Sequence, residues 1–413
     1  MIRGTFPTEL TGLAFVLSAC IIASAQTVPD DHWVGTWASA PVEATATLRL
    51  NNSTVRQILR ISVGGSRVRV HLSNEFGTQP LRIEVIHIAQ QGSGSSIIPA
   101  TDRQLRFGGK LFTIIPAGAV IASDAIAYDV PSLTDLVISF YLPSTNEAAT
   151  LHPSAHQTNY IAAGDVSGKV SLPEALTFGS YYFLTSVDVR GRELLGAVAT
   201  MGASITEGHI STEDANHRWP DFLALRLVNA GLKIGVLNQG ISGNRLLTYG
   251  AGPSALARFE RDVLDQPGVR WVIFSDVSIN DLGSTRPQPG AEQLIAGIQQ
   301  LIARSHEKHV QFFCSTLTPY QGANYWTPEG EAAREQINAY MRGGNSGCDA
   351  VIDQDLATHD PEHPARYLPA YDAGDHLHPN DAGMQAIAET IKLDLFSTSV
   401  KAVLCDNHNL GGE

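Results

Sequence analysis

Between about residues 33 and 185 the chain runs as short stretches rich in Val, Ile and Thr, broken by Gly, Pro, Asn or Ser. The breaks recur roughly every 8 to 12 residues, the spacing of turns in an all-β domain. In SRVRVHLS, Val68, Val70 and Leu72 alternate with Arg67, Arg69 and His71. A period of two buries one face of a strand and wets the other. LRIEVIHIAQQ, TDLVISFYLP and HQTNYIAAG have a similar β-rich composition, and the expected form is a β-sandwich of jelly-roll-like character.

The rhythm changes after about Gly191. Apolar runs without alternation (LLGAVATM, KIGVLNQ, RWVIFSD, VQFFCSTL, DAVID) now take turns with helical patterns. In AEQLIAGIQQLIARS, Leu294, Ile295, Ile298, Leu301 and Ile302 fall at helical spacing and would cover a sheet. Repeated β-then-α units predict a parallel sheet sandwiched by helices. The expected divisions are a leader at 1–25, an all-β domain at 30–190, an α/β domain at 191–398 and a tail at 399–413, with the break at the polar VDVRGRE.

The first residues carry one early arginine, an apolar stretch over 13–22 and then Ala23-Ser24-Ala25. This is the pattern of a cleaved secretory leader, too short to span a bilayer, so cleavage after Ala25 and an extracellular location are expected, with no stable membrane insertion. Removing Cys20 leaves Cys314, Cys348 and Cys405. One bridge and one free thiol are then expected, Cys314 to Cys348 or Cys348 to Cys405, because spacing does not choose between them. Asn51 and Asn52 each begin an N-x-S/T sequon and are candidate glycosylation sites. A formal charge of −13 argues against nucleic acid, whose phosphates it would repel.

In a parallel sheet, ligands gather beyond the carboxyl ends of the strands. Gly202-Ala203-Ser204 follows the first apolar run, Asn238 through Asn244 the second, and Ser278-Ile279-Asn280-Asp281 the third, while Asp375-His376-Leu377-His378-Pro379-Asn380 precedes the last helix. Taken in order over roughly 194–398, the four blocks resemble those of the SGNH (GDSL) hydrolase superfamily. The resemblance implies a flavodoxin-like three-layer domain and a serine esterase that cleaves carboxylic esters through an acyl-enzyme. It also implies roles: Ser204 as nucleophile, Asp375 and His378 as its triad partners, and Ser204, Gly243 and Asn280 as the oxyanion hole. No metal or organic cofactor is implied, and the partner would be a small-molecule or polysaccharide ester.

The chemistry of those residue types agrees. A serine hydroxyl becomes a competent nucleophile when a base takes its proton, and histidine can both take that proton and return it to a leaving group. An aspartate three residues before the histidine can hold the ring tautomer. Backbone N–H groups and a carboxamide can meet the developing oxyanion, and a glycine lets its amide approach closely.

Two departures stand out. Ala203 occupies the position where the superfamily usually has aspartate, and Ser278 stands where it usually has glycine. The first predicts lost hydrogen bonds around the nucleophile loop; the second predicts crowding of Asn280. They motivate one alternative, a catalytically impaired glycan-binding protein; a further alternative is an acyltransferase that uses the same serine with an acceptor other than water. His306 and His309 lack the spacing of a zinc helix, and His359 and His363 flank a proline, so neither pair is read as a metal site. Tyr320, Tyr325 and Trp326, after the fourth run, are candidate walls of a substrate pocket.

Overall fold

The computed structural model describes residues 1, 2, 4, 32–45, 48–172 and 174–396. Most of the expected leader with its cleavage site, Cys20, Cys405 and the tail 399–413 lie outside the described residues.

The first half is built mainly from two antiparallel sheets, with a two-stranded and a three-stranded sheet beside them. One runs Val34–Ala38, Leu184–Arg190, Gly65–Ser73, Ile126–Val130, with Val120–Ala122 also on Gly65–Ser73. The other centres on Ser53–Arg60 paired with Asp135–Leu142 over eight residues, Leu59 opposite Leu136 and Val55 opposite Phe140. Val68, Val70 and Leu72 are buried and the residues between them are not, as their alternation predicts.

The strand Ser53–Arg60 does not alternate, because both of its faces are covered. On the outer face Ile58, Ala89, Ile97 and Val137 form a small separate core. Arg56 holds the covering loops. Its fully buried guanidinium donates to the Ser139 hydroxyl (2.8 Å) and to the carbonyls of Ser95 (2.6 Å), Ser167 (3.1 Å) and Lys169 (2.7 Å). Burial, partly offset by Asp102, lowers its pKa to about 10. Arg56→Ala would orphan three carbonyls and open a cavity. It is expected to cost roughly 3 to 5 kcal/mol in urea unfolding, while the molecules still folded keep their turnover.

The second half is a three-layer α/β domain whose five parallel strands lie in the order Ile234–Gly240, Gly196–Gly202, Val269–Phe274, Gln311–Ser315, Ala350–Ile352. That is the order 2-1-3-4-5, which reverses direction between the first and third strands and opens a crevice at their carboxyl ends. The helices that matter below are α1 (Ser204–Glu207), α2 (Trp219–Asn229), α3 (Ala255–Phe259), α4 (Val277–Ser284), α5 (Ala291–Glu307), α6 (Pro328–Arg342), α7 (Gln354–Thr358) and α8 (Asp381–Glu389). On α5, Leu294, Ile298, Leu301 and Ile302 are buried and Ile295 is partly so. Cys314 and Cys348 form a disulfide, with Cα atoms 5.8 Å apart, tying the fourth strand to the loop before the fifth.

Length alone suggests two separate cores, but one continuous buried cluster spans both halves. The strand Val34–Ala38 lies so close to Ile234–Gly240 that a Cβ on Gly235 would stand 1.9 Å from the Gly35 carbonyl oxygen. The Val236 N–H donates to the Ser62 hydroxyl (2.8 Å) and the Gly35 N–H to the Pro267 carbonyl (2.8 Å). The β-domain thus covers an edge of the parallel sheet that would otherwise offer unpaired backbone groups. Among the described residues no helix is long and apolar enough to cross a membrane.

Candidate active site

The first parallel strand ends at Gly202, and the chain turns through Ala203 into the short α1. Ser204 is therefore the first helical residue, at the crevice, and is 9% exposed. Its Oγ lies 2.8 Å from Nε2 of His378. The other ring nitrogen, Nδ1, lies 2.6 Å from Asp375 Oδ2, while Asp375 Oδ1 accepts the N–H groups of Leu377 (3.0 Å) and His378 (2.9 Å). Carboxylate and imidazole are thus fixed by one turn of chain. With Nδ1–H donated to Asp375, the Nε2 lone pair faces the serine proton, the tautomer a general base needs. Burial alone would raise the Asp375 carboxyl; the bonds from His378 and Leu377 outweigh it and hold it below the usual carboxylate range.

The two residues expected to supply amide donors, Gly243 and Asn280, follow the neighbouring strand ends. Gly243 is exposed and has φ 77°, a left-handed conformation that favours glycine. Asn280, on α4, is oriented from both ends: its Nδ2 donates to the Asn244 carbonyl (3.0 Å) and its Oδ1 accepts the Tyr325 hydroxyl (3.2 Å). Fully buried Arg258 of α3 links these loops, donating to the carbonyls of Gly202 (3.1 Å) and Gln239 (2.8 Å) and to Asn244 Oδ1 (3.0 Å). A hydroxyl, a base that faces it and an oriented carboxamide thus share one edge of the sheet. Chemically, such a set can deprotonate a hydroxyl and stabilise a tetrahedral oxyanion.

The GDSL-like lipase/acylhydrolase family model matches residues 200–386. This part of the chain is a GDSL-like lipase/acylhydrolase domain. Similar solved structures include a lipolytic protein of the G-D-S-L family from Desulfitobacterium hafniense DCB-2, at 20% identity and TM-score 0.37 over 47% of this chain and 97% of that one. A carbohydrate acetylesterase family member from Sinorhizobium meliloti matches at 13% identity and TM-score 0.39 over 49% of this chain and 98% of its own. A family two carbohydrate esterase from Cellvibrio japonicus matches at 11% identity and TM-score 0.37 over 89% of this chain and 95% of its own. No curated protein matches the chain in sequence.

The GDSL-like domain does not lack bonds around the Ser204 loop, contrary to what Ala203 suggests. Asp276, buried just past the third strand, accepts the N–H groups of Ala203 (3.1 Å) and Ile205 (2.9 Å) and the Thr206 hydroxyl (2.6 Å). A carboxylate from a neighbouring strand end thus braces the loop around Ser204. Ser278 is fully buried with an unpartnered hydroxyl, yet Asn280 keeps both of its orienting bonds. Sequence reasoning missed Asp276, although an acidic residue directly after a buried strand was a signal for it. It also missed Glu207 and Arg258, whose partners at the strand ends lie 14 to 56 residues away.

Other singled-out residues fall elsewhere. His306 Nε2 pairs with Asp349 at the surface (2.9 Å), and His363 is exposed. Among the described residues no three or more His, Cys, Asp or Glu are grouped to hold a metal. Tyr320 is fully buried, 6.2 Å ring to ring from Tyr325, so only Tyr325 of the two reaches the site, through Asn280. Asn51 and Asn52 are both exposed, and the Asn52 Oδ1 accepts the Tyr141 hydroxyl (2.7 Å).

The domain also contains a buried acid with a displaced pKa. Asp281 accepts the N–H groups of Leu246 (2.6 Å) and Leu247 (3.2 Å), and burial raises it from 3.8 to about 6. A raised carboxyl pKa favours the folded state fully below the unfolded value, and that contribution is lost as pH rises through about 6. Relative to Asp281→Asn, the native chain should therefore lose roughly 2 to 2.5 kcal/mol of unfolding free energy between pH 4 and pH 7.5. Urea titrations of both proteins at the two pH values check the sign; a gain by the native chain would refute it.

Proposed function

We propose that this protein is a secreted serine esterase that hydrolyses carboxylic esters through an acyl-enzyme on Ser204. The observation that carries the reading is the continuous Ser204–His378–Asp375 hydrogen-bond chain. In the first step His378 Nε2 takes the Ser204 proton as Oγ attacks the ester carbonyl. The tetrahedral oxyanion is received by the N–H groups of Ser204 and Gly243 and by Asn280 Nδ2, and Asp375 stabilises the imidazolium. Collapse expels the alcohol, which leaves with the proton from His378. A water activated by the same ring then releases the carboxylic acid and restores the serine.

The three bonds that Asp276 accepts weigh against the impaired, glycan-binding alternative, since they brace the loop that Ala203 was expected to leave without hydrogen bonds. The disulfide between Cys314 and Cys348 supports an oxidising, extracellular setting. The test is incubation of the purified protein with a fluorophosphonate probe and, separately, with a short-chain nitrophenyl ester. Stoichiometric labelling of Ser204 together with ester turnover is expected. Labelling without hydrolysis, with product formed only when an alcohol is added, would favour the acyltransferase instead, and no labelling would reject both.

A further inference from the structure

Glu207 closes α1 one turn after Ser204 and is 2% exposed. A carboxylate buried so deeply needs partners, and it has them on two sides. On the catalytic side, Oε1 accepts the Ser242 N–H (3.0 Å) and Oε2 accepts the Ser242 hydroxyl. On the other side stand two nearly buried histidines of the β-domain, at ion-pair range and outside hydrogen-bond geometry, His152 with Nε2 3.4 Å away and His156 with Nε2 3.8 Å away. His152 is itself anchored, its Nδ1 lying 2.9 Å from the Ala40 carbonyl. Burial alone would raise the Glu207 carboxyl, but His156, His152 and Ser242 outweigh it and keep it ionised.

Ser242 immediately precedes Gly243. Fixing the Ser242 N–H and hydroxyl fixes the peptide that leads into Gly243, whose N–H must aim at the oxyanion. We infer that Glu207 is a positioning residue that locks the Gly243 oxyanion loop to the nucleophile helix, with His152 and His156 making the β-domain a working part of the active site. The inference rests on the reading of Ser204 as nucleophile.

A second tie from the same β-domain segment runs beside it. Asp214 accepts from Gln157 Nε2 (2.7 Å), the Thr158 N–H (2.6 Å) and the Thr158 hydroxyl (2.6 Å), which holds the loop after α1 against the β-domain. That loop carries His209, whose ring packs edge-on against His378 at 4.6 Å. Thr212 and His217 of the loop bind Asp381, three residues beyond His378. The segment His152 to Thr158 therefore reaches Glu207 directly and His378 through the loop that carries His209.

The experiment measures kcat and KM on a nitrophenyl ester, together with affinity for a boronic acid that forms a tetrahedral adduct on Ser204. Loss of one oxyanion donor typically costs about 10²- to 10³-fold in kcat. Glu207→Ala is expected to approach the lower figure with KM changed less than about threefold, and to weaken the boronic acid in parallel. Glu207→Gln, which can still accept the Ser242 N–H, should recover most of the loss. Ser242→Ala and His156→Ala should each lower kcat roughly five- to tenfold. If Glu207→Ala does not fold, these two variants decide. Ser242→Ala and His156→Ala both within twofold of native kcat, or losses confined to KM, would overturn the inference. A Ser204→Ala protein that still turns over at the native rate would instead overturn the functional reading beneath it.

Discussion

Ser204→Ala is expected to lower kcat on a short-chain nitrophenyl ester by at least about 10⁴-fold, the scale on which removing a triad nucleophile acts. The substitution removes one oxygen whose recorded side-chain contact is His378 Nε2. Stability should therefore stay within about 1 kcal/mol of the native chain, so that lost turnover reports chemistry and not unfolding. His378→Ala should lose a comparable factor. The double variant should be little worse than either single, because nucleophile and base act as a unit. Residual turnover above about 1% in Ser204→Ala, in protein free of native contamination, would mean that another group carries the reaction.

Asp276→Ala carries the second large effect, and it falls on both stability and rate. Three donors, the N–H groups of Ala203 and Ile205 and the Thr206 hydroxyl, would be left without their acceptor inside the protein. At about 1 to 3 kcal/mol for each unsatisfied buried group, with partial relaxation, a total loss of roughly 3 to 5 kcal/mol is expected in denaturant unfolding. Two of these donors flank Ser204, so its Oγ would no longer be held against His378, and a misplacement of about 1 Å can cost on the order of 10²-fold in kcat. Ala203→Asp supplies the discriminating control. Alone, it sets a second carboxylate beside the first and should impair the enzyme; combined with Asp276→Ala, it should restore part of the loss. Stability that falls while kcat of the folded fraction stays native would reduce Asp276 to a purely structural role.

The legible parts of this protein share a feature: their signal is local. Val68, Val70 and Leu72 announce a half-buried strand within eight residues, and Leu294, Ile298 and Leu301 announce a sheet-covering helix within one element. Asp375 and His378 meet across a single turn, so their spacing alone predicts the bond. Ser53–Arg60 was less legible. Its continuous burial depends on loops that arrive from residues 92–98 and 165–170, and Arg56, which reads as a solvent-facing cation, is the residue those loops need.

The sequence by itself determined the succession of a β-rich and an α/β half, the edge on which the chemistry gathers, and the identities of Ser204, Gly243, Asn280, Asp375 and His378 as its candidates. The first two depend on periodicity and on strand ends, which neighbouring residues dictate, and the third on the resemblance of four short local blocks to those of the SGNH (GDSL) superfamily. Only the tertiary structure decided that Asp276 braces the loop at Ala203, that Cys314 takes Cys348 as its partner, and that His152 and His156 reach Glu207 from the other half of the molecule. Each of those contacts joins segments separated by tens of residues. Which buried charge finds which donor is set by how the sheets pack, and close packing is a property of the whole chain that no short window contains.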